Sequence, residues 1–85
     1  MDEDKLSAII KNSNLYIVLH CGLEIFIDNE VDKIIKTEDF YDCYNVSYYK
    51  QDGRKAELCY YKESNEHKIF IEAKKLRFWD KVIAD

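Results

Sequence analysis

Apolar residues in this chain fall into short runs, most of them alternating with polar ones and separated by polar turns. Leu6, Ile9 and Ile10 stand at spacing i, i+3, i+4 and predict a short N-terminal helix. Asp2 or Asp4 caps its start and Asn12-Ser13-Asn14 stops it. Leu15 to His20 is apolar on both faces with β-branched residues in the middle, the pattern of a covered central strand. After a tight turn at Cys21-Gly22, Leu23 to Asp28 alternates, with Leu23, Ile25 and Ile27 on one face. These two segments predict a first hairpin. Asn29 to Thr37 is open between an irregular strand and a short helix with Val31, Ile34 and Ile35 as its stripe, and the helix is preferred.

Residues 40 to 62 predict a second hairpin around Gln51-Asp52-Gly53. A two-residue turn at Asp52-Gly53 would set Val46 opposite Cys59. A three-residue loop with Gly53 left-handed instead pairs Tyr48 with Ala56, Val46 with Leu58 and Tyr44 with Tyr60, and puts all six on one face. Since a one-residue slip inverts the faces of a strand, the three-residue loop is the better register. Lys68 to Ala73 reads as a fifth strand, and Leu76, Trp79, Val82 and Ile83 predict a short C-terminal helix. The fold expected is α+β: an antiparallel sheet of about five strands, two hairpins plus one strand, with the terminal helices packed on one face.

Composition narrows the class. With 85 residues, no proline, two glycines and no repeat or linker, residues 1–85 read as one compact domain. An apolar content of 47% excludes a disordered chain, and seven tyrosines and four phenylalanines favour strands. The start Met1-Asp-Glu-Asp-Lys lacks the apolar run of a secretory signal, and Leu15 to Leu19 is too short to span a bilayer. Cys21, Cys43 and Cys59 cannot form an even disulfide set, so reduced thiols and a cytoplasmic location are expected, with no membrane partner.

The net charge of −4 is unevenly spread. Residues 1–42 carry ten acids against four bases, and residues 43–85 carry seven acids against nine bases. That balance argues against direct binding of nucleic acid, which asks for a basic face.

No catalytic, cofactor or metal set stands out, and the expectation is a protein that is not an enzyme and carries no cofactor. His20-Cys21 is the one adjacent histidine and cysteine, but neighbours in a strand point to opposite faces, and packing residues are the plainer reading. The two histidines and three cysteines show no zinc-type spacing, and two glycines make no phosphate loop. Two features rise above this background. One is the acidic run Asp28, Glu30, Asp32, Glu38, Asp39 and Asp42, broken only by Lys33 and Lys36. The other is the set Tyr41, Tyr49 and Tyr61 off the predicted core face. Acidic groups can occupy a groove meant for phosphates, and exposed tyrosines are enriched at interfaces.

The segment Ile10-Lys11-Asn12, read as a helix end, followed directly by the strand Leu15 to Leu19 in a small acidic chain, resembles small phage-encoded inhibitors such as anti-CRISPR proteins. The likeness covers about the first third of the chain and carries no functional positions. It implies a protein that blocks a host defence nuclease in the host cytoplasm. The expectation is therefore a non-enzymatic protein-binding module acting on a larger partner, a nucleic-acid-processing complex in the sharpest version. Its partner-binding residues would be Asp28, Glu30, Asp32, Glu38, Asp39, Tyr41, Asp42 and Tyr49. The alternatives are a nucleic-acid-binding regulator using Lys74, Lys75, Arg77 and Lys81 beside Phe78 and Trp79, and a small enzyme or antitoxin-like partner resting on the His20-Cys21 pair. An exposed edge strand would also allow a homodimer across a two-fold axis.

Overall fold

The computed structural model describes residues 6–72 and shows seven antiparallel strands in two sheets. The first sheet holds β1 (Ser7–Lys11), β2 (Asn14–Val18) and β3 (Glu24–Asp28) in chain order. The second holds β4 (Val31–Asp39), β5 (Cys43–Lys50), β6 (Lys55–Tyr61) and β7 (Glu66–Ile71), again in chain order. No helix occurs among the described residues, so the α+β expectation is corrected to all-β. The predicted C-terminal helix and the cluster Lys74, Lys75, Arg77 and Lys81 lie outside the described residues. Among the described residues, no helix is long and apolar enough to cross a membrane.

The predicted N-terminal helix is strand β1. Asn12 and Ser13 both adopt positive φ, 50° and 67°, the signature of a two-residue type I′ hairpin turn. The residues read as a helix stop instead fold the chain back and pair Lys11 with Asn14 and Ile9 with Tyr16. Ile9 and Ile10 then point to opposite faces: Ile10 joins the core beside Leu15, while Ile9 lies in a row with Tyr16 and Phe26.

The preferred helix over 29–37 is likewise a strand. Two register shifts, between Val31 and Lys33 and between Ile34 and Lys36, each insert one residue into β4 opposite the regular β5. Val31, Ile34 and Thr37 consequently oppose Lys50, Tyr48 and Val46, and an inward spacing of two becomes a spacing of three. Two bulges thus imitate the apolar spacing of a helix, and the extra residue Ile35 is left exposed.

The second hairpin follows the three-residue register. Tyr44 opposes Tyr60, Val46 opposes Leu58 and Tyr48 opposes Ala56, and all six are buried. The Lys50 N–H donates to Arg54 O at 2.8 Å, the Gly53 N–H donates to Lys50 O at 3.0 Å, and Gly53 sits at φ 90°. The fifth predicted strand is β7, which begins two residues earlier than Lys68 and pairs with β6. The first predicted hairpin is β2–β3, except that Leu23 is exposed and only Ile25 and Ile27 turn inward.

One core joins the sheets. Leu15, Ile17 and Ile27 of the first sheet cluster with Val31 and the six hairpin residues of the second. The face expected to be covered by helices is covered by the three-stranded sheet, giving a small β-sandwich. Backbone bonds stitch its edge, with the Val31 N–H donating to Ser13 O and the Gln51 N–H to Glu30 O.

Candidate functional site at one end of the sandwich

The eight predicted partner-binding residues do not form one surface. Asp28 turns inward: its carboxylate accepts from the Tyr48 hydroxyl at 2.6 Å and pairs with the Lys50 ammonium at 2.9 Å. Lys50 is only 6% exposed and also donates to Asn29 O. Burial pushes the Asp28 carboxyl up, but the Tyr48 and Lys50 hydrogen bonds, the Asn29 N–H and the Lys50 charge together hold it below the ordinary carboxylate range. The Tyr48 hydroxyl is raised by burial and by the Asp28 carboxylate. Asp28 is thus a half-buried clamp between the sheets.

Glu30 and Asp32 are exposed at the start of β4, close to the β5–β6 loop. Tyr49 is half-buried on the outer face, opposite Lys33, whose ammonium lies 5.8 Å from its ring centroid. Glu38, Asp39, Tyr41 and Asp42 lie at the other end of β4, roughly 25 Å away at the usual rise of a strand. Lys33 and Lys36 break the acidic run on the outer face, and Lys36 pairs with Glu38 at 3.4 Å. The acidic run is therefore two separate groups, not one continuous surface.

The second group borders a cleft of about 520 Å³. In a meander, alternate loops share an end, so the β4–β5 loop and the β6–β7 turn lie together. Leu6 and Leu19, from the ends of β1 and β2, supply the apolar side, and His20 stands at its edge. Tyr41 and Asp42 come from the β4–β5 loop, and Lys62, Glu63 and Asn65 from the β6–β7 turn. Tyr60 forms the floor, with its hydroxyl donating to Asn65 Oδ1 at 2.8 Å and raised by burial.

This end is firmly built. The Phe40 N–H donates to Cys43 O at 2.8 Å and the Lys62 N–H to Asp42 O at 3.1 Å. The Lys62 ammonium pairs with Asp39 and donates to Phe40 O at 2.6 Å. Asn65, at φ 59°, closes the β6–β7 turn by donating its N–H to Tyr61 O at 2.9 Å. On this fixed loop Phe40 is 44% exposed and Tyr41 is 100% exposed. Tyr61 faces outward at the same end, opposite Cys43, and so the predicted tyrosine set is split: Tyr41 and Tyr61 share an end and Tyr49 does not.

Two of the three thiols are neighbours and the third lies apart. Cys21 is exposed in the β2–β3 turn, whereas Cys43 and Cys59 sit diagonally on the outer face of β5 and β6. Partial burial, then the Cys59 thiol and the Asp42 carboxylate, push the Cys43 thiol up to about 11. It is protonated at neutral pH, the opposite of an activated nucleophile. Among the described residues no three His, Cys, Asp or Glu side chains gather in a metal-binding group.

Sequence reasoning singled out Tyr41, Asp39 and Asp42 here but missed Leu6, Leu19, Lys62, Glu63 and Asn65. The polar stretch Glu63-Ser64-Asn65 before the last strand is a turn signal. Once the meander is known, that signal places the turn beside Tyr41. Comparison with family models, curated proteins and solved structures finds no match to this chain.

Proposed function

We propose that this chain is a non-enzymatic binding protein that occupies the surface of a larger protein partner, using the Phe40–Asp42 loop and the cleft beside it. The observation that carries this reading is Tyr41, wholly exposed on a loop tied down by backbone and lysine hydrogen bonds. A large aromatic held out in water contributes nothing to the fold. Its rigid presentation lowers the entropic cost of binding, as in the aromatic anchors that dominate protein interfaces. The neighbouring carboxylates Asp42 and Glu63 suit a basic partner surface, such as that of a nucleic-acid-processing protein. A phage-encoded inhibitor of a host defence nuclease is the sharpest form of this proposal.

The test is affinity capture of the tagged full chain from host lysate, treated with nuclease, beside Tyr41→Ala. Tyr41 is 100% exposed and buries nothing of itself, so the variant is expected to keep its thermal midpoint. One nuclease-resistant partner, bound about a hundredfold more weakly by Tyr41→Ala, supports the reading. Partners that vanish with the nucleic acid, or that hold Tyr41→Ala equally well, overturn it.

A further inference from the structure

We infer that the cleft receives an arginine side chain presented by the protein partner, with Tyr41, Asp42 and Glu63 reading its guanidinium. The inference rests on the docking reading above and specifies the chemistry of its centre. Three features of the cleft match the three parts of an arginine.

The alkyl stem needs an apolar wall, which Leu6 and Leu19 provide beside the buried ring of Tyr60. The guanidinium plane stacks on aromatic faces, and Tyr41 stands entirely exposed at the rim. The guanidinium charge and its N–H fork need carboxylates, which Asp42 and Glu63 supply from two different loops. Among the described residues neither Asp42 nor Glu63 is in an ion pair. Lys62, the one lysine at this rim among the described residues, is already paired with Asp39 and bonded to Phe40 O, so its charge is offset and its position fixed. Among the described residues the local balance is therefore negative, and the charge complementarity selects a cation. An ammonium would satisfy the carboxylates but not use the exposed ring and the two-sided placement of the acids as well as a planar fork does.

The experiment is a titration of the isotope-labelled full chain with N-acetyl-arginine amide, followed by the amide signals of Asp42, Lys62 to Asn65 and His20. Saturable shifts of these signals are expected. Binding about tenfold weaker is expected for the neutral isostere N-acetyl-citrulline amide, and for the variant Asp42→Asn with Glu63→Gln. Both acids are exposed, so that variant keeps the remaining spectrum. Absence of saturable shifts in the cleft, equal binding of the citrulline or lysine amide, or indifference to the double substitution each overturns the assignment. If arginine binding fails while partner capture still depends on Tyr41, only the guanidinium assignment falls. If arginine binds but capture ignores Tyr41, only the docking reading falls.

Discussion

Asp28 shows how one residue can decide between surface and core. It ends β3 in the first sheet, yet its carboxylate meets Tyr48 and Lys50 of the second. A lysine at 6% exposure is tolerable only with its charge compensated, and Asp28 with the Asn29 carbonyl does this. Removing one partner of such a pair leaves a buried charge alone. Asp28→Asn is therefore expected to cost about 3 kcal/mol, read by denaturant unfolding. The same group sets an acid limit. The native carboxyl lies below its unfolded value, so its contribution is complete above the ordinary carboxylate range. It is lost as pH falls through that range and through the lowered native value. Wild-type stability should fall on acidification below about pH 4 more steeply than that of Asp28→Asn. Parallel pH profiles for the two proteins would refute the clamp.

At the scale of elements, turn chemistry explains both what was legible and what was not. The β5–β6 hairpin could be read to the residue because alternating Tyr44, Val46, Tyr48 and Ala56, Leu58, Tyr60 bury one face in only one register. Gly53 then falls where φ must be positive, and a Cβ there would meet no neighbour. Gly53→Ala is thus expected to cost about 1 kcal/mol through backbone conformation alone, measured by thermal unfolding. The β1–β2 turn was misread because Asn and Ser serve helix stops and hairpin turns alike. Leu6, Ile9 and Ile10 offered too few positions to separate a period of 3.6 from one of 2. Ser13 strains at φ 67° where glycine rests, so Ser13→Gly should stabilise by roughly 0.5 kcal/mol. In β4 the pattern itself misled, since two bulges at Asp32 and Ile35 give Val31, Ile34 and Thr37 a spacing of three. A bulge belongs to the pairing with β5 and has no signature of its own in residues 31–37. The candidate site was half legible for a related reason: Tyr41 and Asp42 stood out locally, but their neighbours Glu63 and Leu19 are set by strand order.

For the whole molecule, the consequence of a shared core is shared stability. Apart, the three-stranded sheet would expose Leu15, Ile17 and Ile27, and the four-stranded sheet would expose Tyr44, Val46, Tyr48 and Leu58. The Asp28–Tyr48–Lys50 cluster and the bond from Val31 to Ser13 tie the sheets at one end. At the other end the two sheets part around the cleft, whose walls come from both. The cleft therefore exists only while the sheets stay packed, and loosening either sheet should dissolve it. Ile17 in β2 is fully buried, and Ile17→Ala should cost about 3 kcal/mol. If the sandwich unfolds as one unit, amide exchange should speed up by a similar factor in β2 and in β5 and β6, although the substitution touches only the first sheet. Faster exchange confined to β1, β2 and β3 would show two independently stable sheets. The cleft between them would then open without unfolding, and its geometry could not be fixed by the core.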